Sequence, residues 1–217
     1  PLEKNNLNLL LNTTKIYSGK ILNEKDVDII QPLPDNKTVY AVAENYNSKK
    51  SPIIFYKDKS DNAVILKKEI KINIPSDLRN LWVEAELGFL VAKDINYKSK
   101  HKIDKSFIFG HFLANDITAT FKDEDHHLLF SKSSPGFLQI GKVIDTNYLI
   151  KDNHISLIQD KLLLRKGLIS SRKLNDIEIL NFMREHIEIK SGDSILTGAP
   201  SRCRERLYLK NNHLIEF

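Results

Sequence analysis

Trp82-Val83-Glu84-Ala85-Glu86-Leu87-Gly88-Phe89-Leu90-Val91 is an apolar, strand-like run that carries two carboxylates. Two residues apart on a strand, Glu84 and Glu86 point to one face, about 6.5–7 Å apart along it. Val83, Ala85 and Leu87 then point to the other face and pack. An ionised carboxylate in such a run needs a partner, and two side by side repel unless a cation lies between them. A third acid, Asp116, stands near the end of a second strand-like stretch, Gly110-His111-Phe112-Leu113-Ala114-Asn115-Asp116-Ile117-Thr118-Ala119. Three converging carboxylates suit a hard divalent cation, Mg²⁺, Mn²⁺ or Ca²⁺ rather than Zn²⁺. Three protein ligands leave positions for water and substrate oxygens. A Glu-x-Glu strand is also the pattern of a solvated face, and Asp116 after Asn115 is also a turn signal. The spacing by itself leaves both readings open.

Around these acids the chain reads as mostly strand. Val39–Ala43, Ile53–Lys57 and Ala63–Leu66 are short β-branched or aromatic runs separated by turn residues. Glu69–Ile74 alternates charged and apolar residues and stops at Pro75, and Leu81–Ala92 and Phe107–Ile117 are the long strand candidates. Shorter ones are His127–Lys132, Gln139–Ile144, His154–Gln159, Lys161–Arg165 and Ser194–Thr197, with another at Thr13–Leu22 in an otherwise polar N-terminal stretch. One amphipathic helix is expected, capped by Asn175, with Ile177, Leu180, Met183 and Ile187 at helical spacing. Arg206–Phe217 reads as a hairpin about Asn211-Asn212. The fold class is therefore α+β, mainly β, with few helices.

The 217 residues suffice for one large domain or two small ones. A hydrophobic content of 41% supports a full core, and 28% charged residues is ordinary for a soluble protein. No apolar run approaches the roughly 18 residues needed to cross a bilayer. No secretory signal is expected ahead of the first structured segment, although Pro1 is not an initiating methionine. The single cysteine, Cys203, rules out an internal disulfide and a cysteine-rich zinc site, and a cytoplasmic setting is the default. The net charge of +5 comes from scattered lysines without a recognition module, so nucleic acid is not an expected partner.

Several anchors around the acids occur in a recognisable order. They are Asn45-Tyr46, Phe55-Tyr56-Lys57, Glu84-Ala85-Glu86-Leu87, Gly110–Ala119, Ser131-Lys132-Ser133-Ser134-Pro135-Gly136 and Gly192-Asp193-Ser194-Ile195-Leu196-Thr197-Gly198-Ala199-Pro200. In this respect the chain resembles the fumarylacetoacetate hydrolase family over roughly residues 39–205. The resemblance implies a mixed, mostly β fold with a rolled sheet, and usually a homodimer. It divides the chain into an N-terminal segment or small subdomain, 1–37, and a catalytic domain, 38–217. It implies a Mg²⁺ or Mn²⁺ held by Glu84, Glu86 and Asp116. Family members hydrolyse carbon–carbon bonds, decarboxylate, isomerise or hydrate 2-oxo and β-diketo acids, the metal chelating the 2-oxo-carboxylate and stabilising the enolate. Lys132 would add a second positive charge. Thr197 and Gly198 would offer a hydroxyl and a backbone N–H to the substrate, and Tyr46 could line the same pocket.

Two positions depart from the family pattern. The histidine that usually follows the tyrosine by three residues is replaced by Lys49, which needs burial or a second cation to act as a base. The simpler expectation for Lys49 is a solvent-exposed loop lysine. Many members read Thr-Ala-Arg-Asp after the metal aspartate; here Thr118-Ala119-Thr120-Phe121 lacks the arginine. His126 or His127 could replace a lost base, although a polar surface turn is the plainer reading. Two functions stay open: a metal-dependent enzyme of 2-oxo or β-diketo acids, and a catalytically reduced relative that binds metal and a 2-oxo acid with little turnover.

Overall fold

A computed structural model describes residues 33, 37–57, 64–65, 72, 74, 76–122, 128–141, 143, 153–210 and 215–216. In chain order the elements are β1 (Val39–Ala43), β2 (Ile53–Lys57), β3 (Val64–Ile65), β4 (Leu78–Trp82), β5 (Ala85–Val91), β6 (Ile108–Asp116), β7 (Thr118–Phe121), α1 (Leu128–Lys132), β8 (Leu138–Ile140), β9 (His154–Gln159), β10 (Leu162–Leu168), α2 (Asp176–Arg184), β11 (Ser194–Leu196) and β12 (Ile215–Glu216). The main sheet has seven strands in the order β2-β1-β11-β5-β6-β8-β3 and curls into a half-barrel. It is mixed: β1 runs parallel to β11, and β3 to β8, while the other pairs are antiparallel. Two smaller sheets, β10-β9-β12 and β4-β7, flank it. This is the mainly β, rolled architecture expected. No described helix is long and apolar enough to cross a membrane.

Alternation along the strands feeds separate cores. From β1, Tyr40 and Val42 pack with Phe89, Ile195 and the α2 residues Ile179, Leu180 and Met183. Val39 and Ala41 point the opposite way, toward Leu90, Phe112 and Leu196. All seven residues of β5 are buried, because both faces of this central strand are covered. Lower on β5, Ala85 and Leu87 join a third cluster with Ile117, Phe137 and Leu157.

The expected strand Leu81–Ala92 divides into β4 and β5. The chain leaves the β4–β7 ribbon at Val83-Glu84 and enters the main sheet at Ala85. The expected strand Phe107–Ile117 does the same in mirror order, leaving the main sheet after Asp116 and entering the ribbon at Thr118. A backbone hydrogen bond from Asp116 N–H to Glu84 C=O (2.8 Å) ties the two corners together. The acids thus lie where two strands change sheets.

Other expectations need correction. The stretch expected as a strand over His127–Lys132 is the single helical turn α1; a short apolar run carries too few residues to tell period 2 from period 3.6. The terminal hairpin is not formed as expected: residues 206–210 are not in a strand, and β12 pairs with β9. Thr13–Leu22, Asn211-Asn212, His126 and His127 lie outside the described residues, as does most of 1–37. The helix forms as expected from its Asn175 cap but ends at Arg184, so Ile187 packs from the segment beyond it. The Asn175 side chain accepts from Glu178 N–H, and Glu178 returns a bond to the Asn175 N–H.

Candidate metal centre and cavity

Glu84, Glu86 and Asp116 each place one carboxylate oxygen so that the three lie within 4.8 Å of one another. The sheet change at Val83-Glu84 brings Glu84 around toward Glu86, and the matching corner at Ile117 brings in Asp116. Asp116 is 1% exposed and Glu86 4%. The three acids, Lys132, Tyr46 and Arg165 line an open cavity of about 480 Å³.

Cations surround two of the three acids. Lys132, delivered by α1, donates to Asp116 Oδ2 (2.6 Å), Glu84 Oε2 (2.9 Å) and Thr118 Oγ1 (2.6 Å). Lys57 forms an ion pair with Asp116, its Nζ 2.5 Å from Oδ1, and donates to the Lys132 carbonyl. Its side chain is fully buried. Arg165 donates to Glu84 Oε1 and to the Pro200 carbonyl, both at 2.6 Å. Trp82 Nε1 adds a longer bond to Glu84 Oε1 (3.2 Å).

Glu86 differs. It accepts from the Gly198 N–H at 2.8 Å, but no described cation pairs with it. Burial, then the neighbouring Asp116 charge, push its carboxyl well above the ordinary range. Burial pushes Glu84 up too, yet Lys132 and Arg165 outweigh it and hold that carboxyl at about 2. Burial draws the Lys132 ammonium down, but Asp116 and Glu84 more than compensate and raise it above its ordinary value. Lys57 goes the other way: burial, only partly offset by Asp116, together with the Lys132 charge, holds it low. A divalent cation fits this donor set. The ligands are all oxygen, and Glu86 is a buried carboxylate that no described cation contacts directly, with the Lys132 charge only partly offsetting its burial.

The other expected site residues divide. The Tyr46 hydroxyl is buried without a hydrogen-bond partner among the described residues, on a side chain that lines the cavity. Burial chiefly pushes this phenol up to about 12. Thr197 and Gly198 are both engaged within the protein. The Thr197 hydroxyl donates to the Leu87 carbonyl (2.8 Å), and the Gly198 N–H is engaged by Glu86. Asn45 braces the same loop, donating to the carbonyls of Thr197 and Leu174. Lys49 is exposed and is not among the residues lining the cavity. Thr120 accepts from Asn80 Nδ2 (3.2 Å) on the β4–β7 ribbon and does not line it either.

Lys57, Arg165 and Thr118 escaped the sequence reading as site residues. Lys57 had a signal, its place at the end of an apolar strand. Arg165 had none, because it reaches Glu84 across 81 positions of sequence. A bulge between Leu163 and Arg165 on β10 re-aims it.

A family profile described as "Fumarylacetoacetate (FAA) hydrolase C-terminal" matches residues 35–217. No curated protein matches the sequence at a significant level. Among solved structures, the chain is similar to 2-hydroxyhepta-2,4-diene-1,7-dioate isomerase from Mycobacterium marinum, at 20% identity and a TM-score of 0.73, covering 93% of this chain and 77% of that one. It is also similar to 5-carboxymethyl-2-hydroxymuconate delta-isomerase from Mycobacterium smegmatis (20% identity, TM-score 0.67, covering 84% and 72%). A third is a yeast fumarylacetoacetate hydrolase family protein (21% identity, TM-score 0.66, covering 82% and 85%). At these identities the structures speak for the fold.

Proposed function

The chain belongs to the fumarylacetoacetate hydrolase family, and from this premise we propose that it is a divalent-metal-dependent enzyme of small 2-oxo or β-diketo acids. Glu86 carries the reading: it is a buried carboxylate beside two others, without a described protein cation of its own. Glu84, Glu86 and Asp116 would hold the cation, which would supply Lewis-acid charge to the substrate's oxygens. The chain's own groups do the rest. The Lys132 ammonium stays charged and faces the cavity, so it stabilises negative charge developing on the keto oxygen as a neighbouring bond breaks. Tyr46 stays protonated and can donate to the substrate. Gly198 and Asn45 hold the Glu86 side of the site in place.

A reduced family member that binds metal and a 2-oxo acid with little turnover is the second reading. It is favoured by the exposed Lys49 and by Thr120 outside the cavity, where many relatives have histidine and arginine. The missing base weighs against carbon–carbon hydrolysis and toward isomerisation, tautomerisation or hydration. Family membership also supports a homodimer, which sedimentation velocity reads directly.

The test is disappearance of oxaloacetate, an acylpyruvate and a 2-hydroxydienoate with Mg²⁺ or Mn²⁺ and with chelator. Chelator-sensitive turnover, lost in Glu86→Ala and Lys132→Ala, is the expected result. Metal binding without turnover of any of the three selects the reduced member. A protein that binds no divalent ion in calorimetry refutes both.

A further inference from the structure

We propose that Glu44 is the general base of this site, moving a proton to and from the carbon beside the substrate's keto group. This rests on the metal-dependent reading above and adds the proton-transfer group that Lys49 does not supply. Glu44 is half-buried and lines the cavity with the three acids and Lys132. Proton transfer needs a side chain that is free of other partners and within reach of the substrate. Among the described lining residues there is no histidine and no cysteine. Glu84 and Asp116 are already paired with lysine and arginine, and Glu86 is bonded to Gly198 and belongs to the metal set. The Tyr46 phenol, pushed up to about 12 chiefly by burial, stays protonated. Glu44 remains: among the described residues no cation pairs with its carboxylate and no donor is bonded to it. It stands outside the three-carboxylate cluster, so a cation there leaves it uncommitted.

The backbone holds Glu44 in a costly conformation. Its φ is +62°, in the left-handed region that a residue with a Cβ rarely adopts. Such strain persists only where the surroundings over-determine it, and it clusters at functional sites. Here both sides are fixed. Ala43, the residue before, is paired with Ile53 in the main sheet. Asn45, the residue after, is buried and bonded four ways. Its side chain donates to the Thr197 and Leu174 carbonyls and accepts from Leu174 N–H, and its carbonyl accepts from Lys173 N–H. The same loop, through Gly198, holds Glu86, so Glu44 is placed relative to the metal set by a short, rigid path. The step balances within the site. Glu44 takes a proton from the carbon beside the keto group, and the C–H electron pair becomes the C=C bond of the enolate. The carbonyl electron pair moves onto the keto oxygen, where the Lys132 ammonium stabilises it. The same carboxyl returns the proton to that carbon, or to one further along a conjugated chain, which completes a tautomerisation or isomerisation.

The test follows loss of the C3 proton signal of 2-oxobutanoate in D₂O by NMR, with the Mg²⁺-loaded full chain. The wild-type chain is expected to exchange these protons faster than Mg²⁺ alone. Glu44→Gln should slow exchange by about 100-fold, while Mg²⁺ binding in calorimetry stays unchanged. Glu44→Gly should lose exchange equally, yet raise the Tm of the chelated protein, because glycine adopts φ +62° without strain. A gain in stability with a loss of proton transfer is what a base held under strain produces and a structural residue does not. Exchange that survives in Glu44→Gln overturns the base and leaves the metal-dependent reading standing. Loss of Mg²⁺ binding in Glu44→Gln, or a Tm that falls in both variants, overturns it as well, since Glu44 is then a ligand or a structural residue. Wild-type chain that binds Mg²⁺ but exchanges nothing overturns the base and selects the reduced family member. If the wild-type chain binds no Mg²⁺, the metal-dependent reading itself fails, and the base with it.

Discussion

Gly198 shows how much of the site depends on one backbone conformation. Its φ is +94°, and a Cβ there would lie 2.8 Å from the Val42 carbonyl oxygen. Only glycine turns the chain there while its N–H reaches Glu86. Gly198→Ala should destabilise the protein by about 1–3 kcal/mol, read by urea denaturation, and weaken Mg²⁺ binding in calorimetry. Glu84 supplies a pH dependence. Its folded carboxyl titrates at about 2 against an ordinary 4.5, so it holds its proton less well folded than unfolded. That contribution is fully present above pH 4.5 and is lost as pH falls toward 2. Stability of the chelated protein should decline over this window, and Glu84→Gln should flatten the decline. The Glu-x-Glu pair and Asp116 were legible because acids in apolar runs are conspicuous. Lys57 was less so, since a lysine ending a strand reads equally as a surface residue until Asp116 is seen against it.

Elements place these residues, and here legibility depended on length. The helix α2 carries a complete signal, with a capping box, an apolar stripe and Arg184 in the last turn. Asn175→Ala should cost about 1 kcal/mol. Asp176, the first residue of the helix, accepts from Arg172 (2.5 Å) and pairs with buried His111 Nε2 on β6 (2.9 Å). Although burial pushes the Asp176 carboxyl up, His111 and Arg172 hold it below the ordinary range. Asp176→Asn should therefore cost more than Asn175→Ala in the same urea measurement, because it leaves the buried Arg172 guanidinium without its acid partner. By contrast α1 is one turn long and read as strand. A few residues cannot express a period, and what selects the helical turn is tertiary: it brings Lys132 onto Asp116 and Glu84. The breaks at Val83-Glu84 and Ile117 were also silent, since the apolar pattern runs straight through them.

For the whole molecule, a ligand that binds only the folded chain adds stability. Mg²⁺ at about a hundredfold above its Kd should stabilise by about 2.7 kcal/mol, seen as a rise in Tm that is absent in Glu86→Ala. That variant separates binding at the three carboxylates from general ion effects. The mainly β character, the separate strands, the capped helix, the acids and the ordered anchors of the family were all determined by local sequence. These follow from side-chain period, capping and residue chemistry within a few positions. Which sheet each half of the acidic strand joins, and the reach of Arg165 to Glu84, were decided only by the tertiary structure. So were the bonds of Thr197 to Leu87 and of Gly198 to Glu86. Those outcomes depend on contacts between residues tens of positions apart, and on which face the curled sheet leaves open. Pattern along the chain carries no record of either.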